Sequence, residues 1–271
     1  MTMITISRGT FVGGKTLAER LAERLGYSCL SREQALAHAA DEYGIAKEDL
    51  DAALTEPSVL WEQLPGKRIA YLKCITAIIL QSAEQGNLVY HGHAGHLLLR
   101  GIPHVLRVRV VADMEFRIRA AMERLKVTRD KAIGEIERLD NKRRKWIKFL
   151  YGIEWEDPHL YDVVLNLERL TIEGACETII RMTDLDEFKI SDDSRKALED
   201  VTLGSRVWAA LAKNDMTRKG AVKVSAEGGR VTIEGSVGSQ KVVDAIPEVV
   251  RHVEGVREIR NEVGVGTDWY W

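Results

Sequence analysis

Met3, Ile4, Thr5 and Ile6 form a short apolar, β-branched run that ends at a glycine-rich stretch, which predicts a buried first strand over residues 3 to 7. The period then changes. In TLAERLAERLG, Leu17, Leu21 and Leu25 fall one helical turn apart with Ala18 and Ala22 beside them. Glu19, Arg20, Glu23 and Arg24 point away, and Gly26 supplies the stop. Residues 32 to about 85 are polar and helix-biased, with breaks near Gly44, Pro57 and Pro65. NLVYHG, HVLRVRVVAD and YDVVLN, the last from Tyr161, read as three further strands. Helical stretches separate them, among them DMEFRIRAAMERL from Asp113 and TRDKAIGEIERLDNKRRKWIKFL from Thr128. Strands alternating with helices predict an α/β fold with a doubly wound parallel sheet.

Leu185 to Lys196, LDEFKISDDSRK, is charged and aperiodic, and reads as a domain boundary. A helix follows around Val201 to Lys213. In AVKVSAEGGRVTIEGSV, Val222 and Val224 alternate before the turn Glu227, Gly228, Gly229, and Val231 and Ile233 alternate after it, so a hairpin is expected. A helix with Val242, Val243, Ile246, Val249, Val250 and Val253 on one side ends at Gly255, and VREIRNEVGV adds a third strand. The pattern is αββαβ. The expected domains are 1–188 and 197–266, separable by a cut near Ser191, and the chain closes on Trp269, Tyr270 and Trp271.

With 271 residues the chain can bury a core without staples. Its 39 Lys+Arg against 41 Asp+Glu give no global field that would recruit nucleic acid or an anionic membrane. Cys29, Cys74 and Cys176 are odd in number and far apart, which fits neither a disulfide framework nor a metal or redox pair. Reduced thiols in a cytoplasmic protein are expected. The stretch before Met3 has no room for an export signal, and the apolar run Ala77 to Leu80 stops at Gln81, so a soluble protein is expected.

Candidate chemistry centres on GTFVGGKT, which spells G-x-x-x-x-G-K-[ST] between the first strand and the first helix. In that context main-chain N–H groups of Gly9, Thr10, Phe11, Val12, Gly13, Gly14, Lys15 and Thr16 would wrap a polyphosphate. Lys15 would reach the transferring phosphoryl group, and the Thr16 hydroxyl would ligate Mg²⁺. Phe11 and Val12 are bulky for such a loop and should pack against a base or the core. The cluster Lys142, Arg143, Arg144, Lys145 reads either as a solvated helix face or as a lid whose Arg143 and Arg144 neutralise phosphoryl oxygens. In HGHAGH, His91, His93 and His96 lack a nearby Asp, Glu or Cys, which argues against zinc and for a substrate-lining or turn role at the carboxyl end of a strand.

ITISRGTFVGGKTLAERLAERLG, LSREQALAHAADEYG, NLVYHGHAGHLLLRGIPHVLRVRVVAD, and NKRRKWIKFLYG with DPHLYDVVLNLERLTIEGA resemble the cytidylate-kinase-like family of P-loop nucleoside monophosphate kinases over roughly the first two thirds of the chain. The resemblance implies a P-loop NTPase sheet that binds ATP and Mg²⁺, with the donor nucleotide on Gly9 to Thr16. It further implies Arg32 beside the acceptor phosphate, Arg143 and Arg144 in the lid, and Asp162 lining the acceptor pocket. Where cytidylate kinases read Asp-Gly-Arg-Asp, this chain has His91, Gly92, His93 and Ala94, which puts CMP as acceptor in doubt. It also leaves Asp113 as the remaining candidate for a second Mg²⁺ carboxylate. Residues 197 to 266 resemble a BON domain, with an unrelated αββαβ module that drives homo-oligomer formation as the alternative.

Together these features predict an ATP-dependent phosphotransferase acting on a nucleoside monophosphate or similar small anionic acceptor, with a C-terminal ligand-binding or regulatory module. The alternative is a nucleotide-binding sensor without turnover that signals through that module.

Overall fold

A computed structural model describes residues 2–55, 65–84, 86–92, 94–218 and 220–266. Pro57, His93 and the Trp269, Tyr270, Trp271 tail lie outside the described residues.

The first sheet is parallel throughout, with strand order β2-β3-β1-β4-β5. Its members are β1 (Met3–Arg8), β2 (Ser28–Ser31), β3 (Leu88–Gly92), β4 (Val105–Val111) and β5 (Val163–Asn166). β1 has a partner on each side, which is why Met3 to Ser7 are all buried, the polar Thr5 and Ser7 with the apolar Met3, Ile4 and Ile6. β2 is an addition to the strands that the periodicity predicts. It is four residues long, two of them serine, and only Leu30 in it is buried, so it carries almost no local signal.

α1 (Gly14–Leu25) follows the glycine loop and ends as its sequence demands: Gly26 turns left-handed at φ 66°, and its N–H donates to the Ala22 and Glu23 carbonyls. Leu17, Ala18 and Leu21 join Ile4, Ile6, Val108 and Leu165 of the sheet and Ile179 of a later helix, Ile172–Thr183, in one apolar cluster. α2 (Arg32–Tyr43), α3 (Lys47–Thr55) and α4 (Pro65–Glu84) fill the helix-biased region, and α5 (Gly95–Leu98) is a single turn after β3. α6 (Met114–Leu125) and α7 (Arg129–Tyr151) form a hairpin held by Ile118, Ala121, Ala132 and Ile136. The later helix is α8.

The C-terminal segment has the αββαβ order that its pattern predicts: α9 (Asp192–Lys213), β6 (Ala221–Glu227), β7 (Arg230–Val237), α10 (Gln240–Val250) and β8 (Glu258–Val265). β6 and β7 are antiparallel across Gly228 and Gly229, whose φ angles of 58° and 89° suit a type I′ turn, and β8 adds parallel to β7.

Two features depart from the sequence expectation. Most of the charged stretch 185–196 is helical rather than linker: Asp186–Phe188 is a 3₁₀ turn, and α9 begins at Asp192. Ser191 and Ser194 cap α9 reciprocally, and Asp192 and Asp193 sit in its first turn, where acidic residues oppose the positive helix end. Compactness divides the chain between Ile190 and Ser191 but also assigns two earlier stretches, within residues 35–81, to the second unit. One unit holds the described residues of Met1–Gln34, Leu54–Pro57 and Ser82–Ile190; the other holds those of Ala35–Ala53, Ser58–Gln81 and Ser191–Trp271. Among the described residues no helix is long and apolar enough to cross a membrane.

Candidate functional site

The loop between β1 and α1 is built so that backbone, not side chain, meets a ligand. A Cβ on Gly14 would lie 2.6 Å from the Arg8 Cβ and 2.9 Å from Val110 Cγ2, and one on Gly9 would lie 2.7 Å from Val12 Cγ2. Gly13 caps α1 at φ +91° and offers no side-chain acceptor, so the first-turn amides of the helix are left for an anion. Phe11 and Val12 both pack into protein: Val12 enters the sheet core, and Phe11, in the left-handed region at φ 59°, packs on the α6–α7 hairpin. Lys15 and Thr16 are exposed, and Lys15 is held 3.6 Å from Glu19. Glycine backbone, free amides, an exposed lysine and an exposed hydroxyl together fit a polyphosphate with its Mg²⁺. Thr16 is the protein ligand this arrangement offers the metal. Asp113 is engaged otherwise, since its Oδ1 accepts the Phe116 N–H at 2.6 Å and caps α6. Among the described residues no cluster of three His, Cys, Asp or Glu could hold a metal alone.

A second layer, not visible in the sequence pattern, grips the loop from the hairpin. The Thr10 hydroxyl donates to Asp140 Oδ1 at 2.7 Å, and Arg117 Nε donates to the Thr10 carbonyl at 2.9 Å. The Arg117 guanidinium pairs with Asp140, and Arg143 lies 3.3 Å from the same carboxylate and 3.4 Å from Thr10 Oγ1. Two guanidiniums lie over the Trp155 ring, Arg109 at 4.6 Å and Arg143 at 4.8 Å from its centre. Its carbonyl accepts from Arg109 and from the Tyr161 hydroxyl. Glu156 bridges Arg109 at 3.8 Å and Arg144 at 3.7 Å.

Arg143 and Arg144 are therefore not an equivalent lid pair. The Arg143 side chain is 10% exposed against 43% for Arg144, whose other partner is Asn141 at 2.6 Å on the outer surface. Burial pushes the Arg143 pKa down to about 10; Asp140 opposes this, while Arg117, Arg8 and Arg32 add to it. The group stays charged at neutral pH; the depression registers chiefly its burial, with the neighbouring cations adding to it.

Arg32 opens α2 against β3, where a Cβ on Gly92 would come within 2.7 Å of its own Cβ, so glycine is required at that position. Glu33 lies 3.3 Å from Arg32 and 3.4 Å from Arg8. Burial raises the Glu33 carboxyl, but its backbone hydrogen bond and the Arg32 and Arg8 charges outweigh this and hold it below its usual range.

The other expected contacts fall differently. Asp162 precedes β5, at the end of that strand remote from the loop, and its Oδ2 accepts the Arg107 N–H at 2.7 Å. His91 is buried in β3 and His96 is buried against Tyr161, with ring centres 4.7 Å apart, so neither presents an open face to a substrate. Burial first, then the Arg8 charge, pushes His91 down to about 4. Burial with Arg107 and Arg109 pushes His96 to about 3.

These shifts carry a pH signature. The folded values lie below the ordinary 6.5, so the unfolded chain binds more protons in between. Stability is full above pH 6.5 and falls as pH drops toward 4, with a share on the order of 3 kcal/mol from His91. Urea unfolding between pH 7 and pH 5 should show this loss, and His91→Gln should remove about half of it, leaving the share of His96. A wild-type curve that is level across that window contradicts the buried neutral imidazole.

Residues 3–169 match the cytidylate kinase-like family, and residues 199–267 match the BON domain. A cytidylate kinase of Ignicoccus hospitalis is 28% identical over 185 residues, covering 67% of this chain and 99% of its own. One of Staphylothermus marinus is 29% identical over 181 residues, covering 66% and 94%. Among solved structures, an uncharacterized protein from Eubacterium ventriosum is similar at a TM-score of 0.54 and 21% identity, covering 68% of this chain and 98% of that one, a likeness of fold.

Proposed function

Because the chain belongs to the cytidylate kinase-like family, we propose that it transfers the γ-phosphoryl group of ATP to the phosphate of a nucleoside monophosphate of the CMP type. An acceptor phosphate oxygen attacks the γ-phosphorus, the bond to the β-phosphate oxygen breaks, and ADP leaves with the electron pair. The observation that carries this reading is the glycine loop joined through Thr10 to Asp140, Arg117 and Arg143, a preformed cradle rich in cations whose helix start has no side-chain cap.

In this reading the loop amides and Lys15 hold the donor phosphates. Arg143, already ordered by Asp140 and Trp155, offsets charge on the moving phosphoryl oxygens. Arg32, fixed against Gly92, faces the acceptor phosphate. Mg²⁺ held by Thr16 and the nucleotide supplies further charge neutralisation when bound. The balanced surface charge and free cysteines suit a cytoplasmic setting.

The test is ADP formation from ATP with CMP, dCMP, UMP, AMP and GMP in parallel. A pyrimidine monophosphate should raise ADP release well above the ATP-only background. The sensor reading is favoured by His91 and His93 standing where cytidylate kinases have an acid and an arginine, and it would be recognised by ATP binding with no acceptor-dependent turnover.

The two arginines give a finer check. Arg143→Ala should lower kcat/KM by roughly 10²–10³ and weaken ATP binding as well, because one of its partners, Thr10, lies on the loop itself. Arg144→Ala should cost less than about tenfold, since its pairing is to exposed Asn141 and Glu156. Equal losses for the two variants would contradict this division.

A further inference from the structure

The boundary between matched families and the boundary between compact units do not coincide. α2 to α4 lie inside the segment that matches the kinase-like family, yet the described residues of Ala35–Ala53 and Ser58–Gln81 belong to the same compact unit as the C-terminal segment. The packing explains why. Ile69 and Ala70 of α4 share one apolar cluster with Leu203, Val207 and Trp208 of α9 and with the module's sheet and α10. Ala70 is 5% exposed and Val207 fully buried, so this is a shared interior and not a surface touch. At the end of α2, Lys213 Nζ of α9 donates to the Glu42 carbonyl at 3.4 Å. The neighbouring Tyr43 hydroxyl is pushed up to about 12, first by burial, then by Cys74 and Glu42, with Arg206 of α9 opposing.

α2 is one continuous helix whose first residue is Arg32 and whose last turn ends within this second unit. A module that bound its own ligand independently would close its core with its own residues; this one closes it with residues from the kinase segment. We propose that the C-terminal module is the packing partner of the kinase's α2–α4 helices and, through α2, sets how firmly Arg32 is held for the acceptor phosphate. The acceptor half of this statement rests on the function proposed above.

The experiment uses the full chain. Leu203→Ala and Val207→Ala each remove apolar volume from α9 without touching the loop. Amide hydrogen exchange of residues 35–43 and 68–81 should speed up by about tenfold or more in these variants, while residues 3–25 keep wild-type protection. In the same variants the acceptor KM should rise by about threefold or more at unchanged ATP Kd. Ala70→Val probes the contact from the kinase side by overpacking, and it should loosen α9 and the strands 221–265 in return, a readout that survives if an α9 variant fails to fold. Faster exchange confined to 199–266 overturns the shared interior. Faster exchange in 35–43 and 68–81 with an unmoved acceptor KM overturns the link to Arg32. If the wild type phosphorylates no monophosphate, the proposed function fails, while the exchange result still decides the packing claim.

Discussion

Lys15→Ala is expected to abolish most phosphoryl transfer, a loss of roughly 10³-fold or about 4 kcal/mol of barrier, while leaving the fold intact. The two halves of that expectation have separate causes. In the resting protein the lysine is exposed, and its partner is Glu19, 3.6 Å away and one helical turn on. Exposed pairs of that kind stabilise by about 0.3–0.5 kcal/mol, so the unfolding midpoint should hardly move. In the reacting complex the same ammonium meets phosphate oxygens whose charge is shifting, and no neighbouring group can take its place on the loop. Turnover and urea unfolding measured on the same preparation separate the two. Wild-type turnover in folded Lys15→Ala protein would remove the loop from the chemistry.

Asp140→Ala should be the most destabilising single change near the site. One carboxylate, 16% exposed, serves the Thr10 hydroxyl, Arg117 and Arg143, with Arg8 and Arg32 contributing to the same positive field. Removing it leaves two largely buried guanidiniums without their counter-charge, which costs about 3–5 kcal/mol. The loop loses its side-chain tether at the same time, so ATP affinity should fall as well. Asp140→Asn keeps an acceptor for Thr10 but not the charge, and should fall in between. An added anion should partly replace the missing one: inorganic phosphate in excess should raise the stability of Asp140→Ala more than that of the wild type. Denaturant unfolding with and without phosphate measures both effects, and equal stability of Asp140→Ala and wild type would show that the carboxylate is not the hub described above.

Local signals were enough for the loop and its surroundings. The β-branched run, the glycines and the leucine period of α1 each act over a few residues, and β1, α1 and the Gly26 stop follow from them. Asp140 was not legible because an aspartate in a charged helix looks like any solvated residue. Its meaning depends on Thr10, 130 positions earlier in the chain. Trp155 and Arg109 pose the same difficulty, since an apolar ring in a loop gives no hint of the two guanidiniums that lie over it. The charged run before α9 was misleading for a different reason: acidic residues favoured at a helix start have the composition of a linker. His91 and His96 read as substrate-lining or turn residues at a strand end, whereas both are buried and held neutral.

The shared interior of the second unit also fixes an order of events during synthesis. Ala70 emerges from the ribosome long before Leu203, and the sheet that completes its surroundings closes only when β8 pairs with β7 near the end of the chain. At about 5–20 residues per second, α4 waits roughly 10–40 s for those partners, with the apolar stretch around Cys74 to Leu80 already made. Contacts that span so much chain also close slowly. Until β8 is made, α4 keeps an apolar face uncovered, and a message that stops before α9 yields a polypeptide with the loop encoded but α4 lacking its packing partner.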